Sequence, residues 1–133
     1  MLKNFKEKAP EPQHLLHVGN NLYWLRISMP FALDHINIWL IEEADGWVVI
    51  DTGPNTSKAK EQWLAVINNQ LKGKPITRII CTHGHPDHIG LVGWLLEELE
   101  HKPSFSISMP DYKYYQMLFS CEPSVPRDQL NEF

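Results

Sequence analysis

The segment His83-Gly84-His85-Pro86-Asp87-His88 limits the possible structures of this chain more than any other part of it. Three histidines and one aspartate stand within these six residues. An apolar run, Ile79-Ile80-Cys81, precedes the segment, and apolar residues at helical spacing follow from Ile89. The pattern predicts a strand, a turn rich in polar side chains and then a helix. The turn would therefore stand between two regular elements.

The spacing of these polar side chains favours a metal site. In an extended loop, residues two apart point to the same side, so His83 and His85 can bind one ion. Adjacent residues diverge, so Asp87 and His88 do not easily complete the same tetrahedron, and at least one of them can face a second ion. Imidazole and carboxylate suit zinc and its first-row neighbours. The alternative is a solvated turn in which Asp87 only caps the helix, although capping does not exclude ligation.

Length, composition and charge limit the class of protein. The 133 residues allow one domain, and a hydrophobic fraction of 43% is enough for a core. The net charge of −4 does not favour a nucleic-acid or anionic membrane surface, although a local basic patch stays open. No apolar run reaches membrane-spanning length, and the N-terminus lacks the apolar stretch of a signal peptide. We therefore expect a cytoplasmic protein with no membrane partner.

The order of the predicted elements indicates an α/β (α+β) fold, a mixed β-sheet with helices against it. Residues 1–13 form a loose polar lead-in, and residues 14–133 form the domain. Strands come first, and strands alternating with helices follow. The strands are predicted at 15–18, 22–27, 36–42, 47–51, 78–81 and 105–108, and the helices from 56 or 57 to about 73, from 89 to 100 and from 111 to 119. Cys81 ends a strand and is predicted to be a small buried residue, with metal binding as the alternative.

Two motifs resemble the metallo-β-lactamase superfamily. The first is His-x-His-x-Asp-His at 83–88, with Thr82 before it and Gly90 two residues after it. The second is Trp47-Val48-Val49-Ile50-Asp51-Thr52-Gly53, which is similar to the strand of that superfamily that ends in Asp-Thr-Gly. It precedes the first motif by one helix and one strand, as in the family. The resemblance runs from about residue 15 to about residue 115 and implies half of a four-layer αββα sandwich, with helices on one face of the sheet.

The resemblance implies metal-dependent hydrolysis and assigns roles to the motif residues. His83 and His85 would bind the first ion, and Asp87 and His88 the second. Asp87 would also act catalytically by orienting the attacking water. Asp51 would fix the ligand loop through hydrogen bonds. The expected cofactor is zinc, two ions in the complete enzyme, with iron or manganese as alternatives.

The resemblance also implies that this chain holds only part of the site. In the family, residues of the C-terminal half complete the coordination of both ions. One His binds the first ion, an Asp bridges the two ions, and a last His binds the second ion. After His88 this chain has only His101, which a helix of about ten residues, ~15 Å long, carries away from the cluster. We therefore expect the 133-residue chain to be the N-terminal half of the domain, incomplete at its C-terminus and inactive alone. Its uncovered sheet face would favour self-association.

The expected partner is a small-molecule substrate. The first half looks most like the glyoxalase II-like hydrolases, which indicates a thioester, lactone or similar acyl substrate. A nuclease or phosphodiesterase of the same fold is the alternative within the enzymes, and the acidic balance weighs weakly against it. A truncated, non-catalytic metal-binding fragment is the alternative outside them. His35 precedes a strand at the level where loops of the family approach the site; it is a candidate for substrate contact or a hydrogen-bonded structural residue.

Overall fold

The computed structural model describes residues 8–30, 34–119 and 130–131, without the side chains of 118, 119, 130 and 131. The predicted lead-in is described from residue 8 onward, and after residue 119 only residues 130 and 131 are described. The elements in chain order are β1 (Leu16–Gly19), β2 (Leu22–Ser28), β3 (His35–Glu43), β4 (Gly46–Ile50), α1 (Ser57–Asn69), β5 (Ile76–Ile80), α2 (Pro86–Ile89), α3 (Val92–Glu98), β6 (Ser104–Ser106), α4 (Met109–Phe119) and β7 (Leu130–Asn131).

The strands form one sheet in which spatial order follows chain order, from β1 to β7. Neighbours from β1 to β4 pair antiparallel, and neighbours from β4 to β7 pair parallel. Antiparallel neighbours need only short turns, whereas parallel neighbours need a crossover, and at least one helix lies in the chain between each parallel pair. The predicted fold class, a mixed sheet with helices, is confirmed.

The core lies between the helices and one face of the sheet. Alternate strand residues such as Leu25, Ile38 and Val49 are fully buried there, as the two-residue period of a strand requires. Trp63 of α1 packs in the same cluster, and its indole N–H donates to the carbonyl of Thr52 at 2.6 Å. This bond satisfies a buried donor and ties α1 to the loop that follows β4.

The opposite face of the sheet carries a smaller aromatic group. The rings of Trp24 and Trp39 stack with centroids 5.8 Å apart, and the Arg26 guanidinium lies 5.1 Å from the Trp24 ring. The indole N–H of Trp24 donates to Asn37 at 2.9 Å. Self-association through this face stays a prediction. Among the described helices, none combines the length and apolar character needed to cross a membrane.

The predicted helix from 89 to 100 is wrong in its start and in its continuity. Helical structure begins at Pro86, three residues earlier, and the chain forms α2 and α3 with a break between them. At the break, the Leu91 N–H donates to the Thr52 hydroxyl at 3.2 Å instead of continuing the ladder of α2. The Leu95 N–H then donates to the Leu91 carbonyl at 2.9 Å and starts α3. A contact with the distant β4 loop therefore divides the helix.

We predict that acid destabilises the end of the sheet where Glu42 lies between two lysines. Its carboxylate lies 2.8 Å from Lys72 and 2.7 Å from Lys74, and the bond with Lys72, followed by that with Lys74, lowers the pKa of Glu42 from 4.5 to about 2. A lowered pKa in the folded state stabilises the protein above pH 4.5, and this contribution is lost as pH falls toward 2.

Melting temperatures measured across this range test the prediction. Glu42→Gln should flatten the loss of stability with falling pH, whereas Asp45→Asn, which removes an exposed acid without an ion pair among the described residues, should not. Since the lysines are partly exposed, added salt should reduce the effect in the parent. Identical pH profiles for parent and Glu42→Gln would contradict it.

Candidate metal centre

The candidate ligands lie at the edge of the sheet where two parallel strands end. Ile50 at the end of β4 pairs with Ile80 at the end of β5. The pairing continues one step further, because the Asp51 N–H donates to the Ile80 carbonyl at 2.8 Å. Carboxyl ends of parallel strands share one edge of a sheet. The loop after β5, which holds the histidine cluster, therefore begins beside Asp51.

The four predicted ligands lie close together in this loop. The ring of His83 has its centroid 4.5 Å from that of His85 and 4.1 Å from that of His88. The Asp87 carboxylate lies 3.6 Å from Nε2 of His88. Burial, followed by the nearby charges of His88 and His85, lowers the pKa of His83. Neutral imidazole is the form that binds a metal, so this environment favours ligation.

Asp51 connects the two ends of the ligand loop. Its carboxylate accepts the backbone N–H of Thr82 at 2.8 Å and the Thr82 hydroxyl at 2.8 and 3.1 Å. The same carboxylate lies 3.0 Å from Nδ1 of His88. Since an ionised carboxylate only accepts, Nδ1 must carry the proton, which leaves Nε2 as the ligand nitrogen of a neutral His88. The hydrogen bond to Asp51 raises the pKa of His88.

The backbone after β4 takes an unusual conformation to make these contacts. Asp51 is buried with φ of 66°, in the left-handed region, which aspartate tolerates better than most residues. The next residue, Thr52, is fully buried, and both its N–H and its hydroxyl donate to the His88 carbonyl, at 2.9 and 2.7 Å. The strand end thus holds both the ring and the backbone of His88. Thr52 carries no predicted role, although its place in the Asp-Thr-Gly motif is a usable sequence signal.

Gly90 allows α2 to approach the β4 loop closely. A Cβ atom there would lie 2.4 Å from the Pro86 carbonyl oxygen, 2.8 Å from the Asn55 nitrogen and 2.9 Å from the Gly53 carbonyl oxygen. All three are backbone atoms, so a side chain at this position would require the backbone to shift. The absence of a Cβ at Gly90 therefore allows α2, which carries Asp87 and His88, to lie against the loop after β4.

The donor chemistry fits a divalent ion, but the donors do not close a site around one. Imidazole and carboxylate groups are ligands that zinc accepts. Among residues 8–30, 34–119 and 130–131, however, no three His, Cys, Asp or Glu side chains are placed so that they could hold one ion. The cluster thus offers pairs of donors. Burial raises the pKa of the Cys81 thiol, and this disfavours the thiolate that ligation would need.

The other histidines considered lie outside the cluster. His35 is half-buried at the start of β3, with Nδ1 2.6 Å from the Asp34 carboxylate, and it lines a cleft of about 210 Å³ together with Arg26. Its contact with a substrate stays a prediction. His101 is exposed and lines a different cleft of about 340 Å³, which includes Leu71 of the α1–β5 connection. None of residues 83–88 lines either cleft.

Known proteins resemble this chain in sequence and fold. A beta-lactamase domain protein from Burkholderia ambifaria superposes with a TM-score of 0.81 at 31% identity, over 88% of this chain and 38% of the other. The probable metallo-hydrolase YqjP of Bacillus subtilis is 34% identical over 57% of this chain and 24% of its own length. The hydroxyacylglutathione hydrolase of Idiomarina loihiensis is 34% identical over 56% of this chain and 27% of its own length.

The region that matches the family model contains both sequence motifs, at 47–53 and 83–88. The chain spans about a quarter of the length of these two curated relatives, as the 24% and 27% coverages state. The family model described as the metallo-beta-lactamase superfamily matches residues 32–103, more than half of the chain. This range spans all elements from β3 to α3, ends just before β6, and contains the Asp-Thr-Gly turn and the histidine cluster. The chain belongs to the metallo-β-lactamase superfamily.

Proposed function

We propose that this chain supplies the ligand loop of a metal-dependent hydrolase that acts on acyl substrates such as thioesters or lactones. The observation that carries the proposal is the position of His88. Its ring lies 4.1 Å from that of His83, and its Nδ1 is held by the buried Asp51 carboxylate at 3.0 Å. A solvated turn needs neither the buried carboxylate nor the fixed imidazole. A metal ligand benefits from both.

The four candidate ligands form two pairs, one pair for each ion. His83 and His85 would hold one ion, and Asp87 with Nε2 of His88 would hold a second. Zinc held there would lower the pKa of a bound water and would polarise the substrate carbonyl. The half-buried Asp87 carboxylate lies on the side of Nε2 and would accept a hydrogen bond from the attacking water, which orients it. Asp51 would keep His88 in the tautomer that leaves Nε2 available.

The acyl class has support from a relative and from the charge of the chain. One relative is a hydroxyacylglutathione hydrolase, and another is a probable metallo-hydrolase. The net charge of −4 gives little attraction for a polyanionic nucleic acid. Phosphodiester cleavage is therefore the second enzymatic candidate. A metal-binding role without catalysis is a separate candidate, favoured by the pairwise arrangement of donors in the described residues.

We predict that the chain binds zinc through the histidine pair, and weakly, because each ion has only two donors. Isothermal titration should show binding that falls sharply in His83→Ala and in His85→Ala, since a single remaining imidazole does not hold the ion. His101→Ala removes an exposed histidine outside the cluster and serves as the matched control. Equal binding by the parent and the double variant His83→Ala/His85→Ala would contradict the ligand assignment.

Removal of Asp51 should weaken metal binding by ~10–100-fold, the usual cost of losing the partner of a ligating histidine. Asp51→Asn separates this effect from backbone strain. Asparagine tolerates the left-handed φ of 66° and can still accept from the Thr82 N–H, but its amide nitrogen cannot accept a hydrogen bond from the His88 Nδ1–H. Zinc affinity should fall in both Asp51→Ala and Asp51→Asn, and melting temperature should fall more in Asp51→Ala. Unchanged zinc affinity in both variants would show that Asp51 only shapes the turn.

Hydrolysis should depend on the cluster and should favour acyl substrates. The zinc-loaded protein made from the whole coding sequence is the sample, and thioester, lactone and phosphodiester panels are the assays. His83→Ala should lose at least ~100-fold in rate on the acyl panels, because the loss of one imidazole donor would misplace the ion relative to the substrate. The 133-residue chain by itself should not exceed that variant, because no three donors converge in its described residues.

The outcomes separate the candidates. Phosphodiester cleavage without acyl hydrolysis would favour the second enzymatic candidate. Zinc binding without hydrolysis on any panel would favour the non-catalytic one. Turnover by the 133-residue chain well above His83→Ala would contradict the expectation that it is inactive alone.

A further inference from the structure

The first turn of α4 lies directly against the ligand loop, at the residue between two candidate ligands. The Gly84 N–H donates to the Asp111 carboxylate at 3.4 Å. A Cβ atom on Gly84 would lie 2.5 Å from the backbone carbonyl oxygen of Asp111, so the two backbones nearly touch. One turn further along α4, the ring of Tyr114 lies 6.2 Å from that of His85. The helix therefore contacts two consecutive residues of the loop, Gly84 and His85.

Asp111 also has a local role at the start of α4. Ser108-Met109-Pro110-Asp111 has the spacing of a capping box, and the Asp111 N–H donates to the Ser108 hydroxyl at 3.3 Å. The Ser108 hydroxyl also bonds to one oxygen of the Asp111 carboxylate. The other oxygen is the one that accepts from Gly84. One carboxylate thus bridges the helix start and the ligand loop.

We propose, on the basis of the metal-binding role proposed above, that Asp111 is a positioning residue for the ligand loop, residues 82–88. The N–H that it holds belongs to the peptide between His83 and Gly84, so the carboxylate fixes the plane of that peptide. This plane sets the direction in which the chain leaves His83 and reaches His85. Asp51 holds the loop at Thr82 and His88, and Asp111 holds it between them. The distance between the imidazole donors of His83 and His85 then depends on α4.

Four variants separate this role from helix capping. Asp111→Asn keeps an oxygen that can accept from the Gly84 N–H and replaces the other oxygen with an amide N–H that can donate to the Ser108 hydroxyl. Asp111→Ala loses both contacts. Ser108→Ala loses the cap and keeps the contact with Gly84. Asp111→Glu keeps the charge and a capping-box residue but moves the carboxylate by one methylene, and it replaces Asp111→Ala if that variant does not fold.

Three measurements apply to the 133-residue chain. With cobalt(II) as the probe, absorption in the visible range reports coordination geometry, and titration reports affinity. Asp111→Ala should lose ~10–100-fold in cobalt affinity and change the spectrum, whereas Asp111→Asn and Ser108→Ala should keep the parent spectrum. Without metal, amide hydrogen exchange at Gly84 should become faster in Asp111→Ala than in Ser108→Ala, even where both lower the melting temperature.

The possible results distinguish the two proposals. If the parent binds cobalt, and Asp111→Ala shows the parent affinity, the parent spectrum and Gly84 exchange like that of Ser108→Ala, then Asp111 is only a cap and the inference is overturned. If the parent does not bind cobalt, the proposed function fails, and Gly84 exchange alone decides whether Asp111 holds the loop.

Discussion

The contacts of the buried Asp51 carboxylate determine the arrangement of the candidate site. This group accepts two donors of Thr82 at the start of the ligand loop and lies 3.0 Å from Nδ1 of His88 at its end. A buried carboxylate is costly unless it is hydrogen-bonded, and here its partners are the residues on both sides of the cluster. The requirement to satisfy one buried charge thus gives the loop its shape.

The sheet makes this arrangement possible. β4 and β5 are parallel neighbours, so the residues that follow them lie side by side at one edge. The buried Trp63 of α1 bonds to the carbonyl of Thr52, and the hydroxyl of the same threonine bonds to the His88 carbonyl. Thr52 is therefore one residue through which the core is connected to the ligand loop. Changes at Trp63, although it is not a ligand, would act on the site through this connection.

The sequence was sufficient to identify the cluster because its members are local. His83, His85, Asp87 and His88 are close in the chain, and the Asp-Thr-Gly motif marked Asp51. The same motif contains Thr52, but its contact with the His88 carbonyl joins residues that are distant in the chain. The role of Asp111 had no comparable motif, because it depends on a contact with Gly84, 27 positions away. The division between α2 and α3 has the same origin. The apolar spacing from residue 89 onward indicated a helix. The break in that helix depends on the Thr52 hydroxyl, which accepts from the Leu91 N–H and lies 39 positions away in the chain.

The closeness of the ligands in the chain has a thermodynamic consequence. Asp51 and His88 are 37 positions apart and come together only when β4 pairs with β5. The histidines at 83, 85 and 88 need no such pairing, so an unfolded chain still offers them to an ion. Ligand binding stabilises a fold only by the difference in affinity between folded and unfolded states. Zinc should therefore raise the melting temperature less than its affinity for the folded protein indicates. The increase that remains reflects the higher affinity of the folded state, in which Asp51 fixes the position of His88.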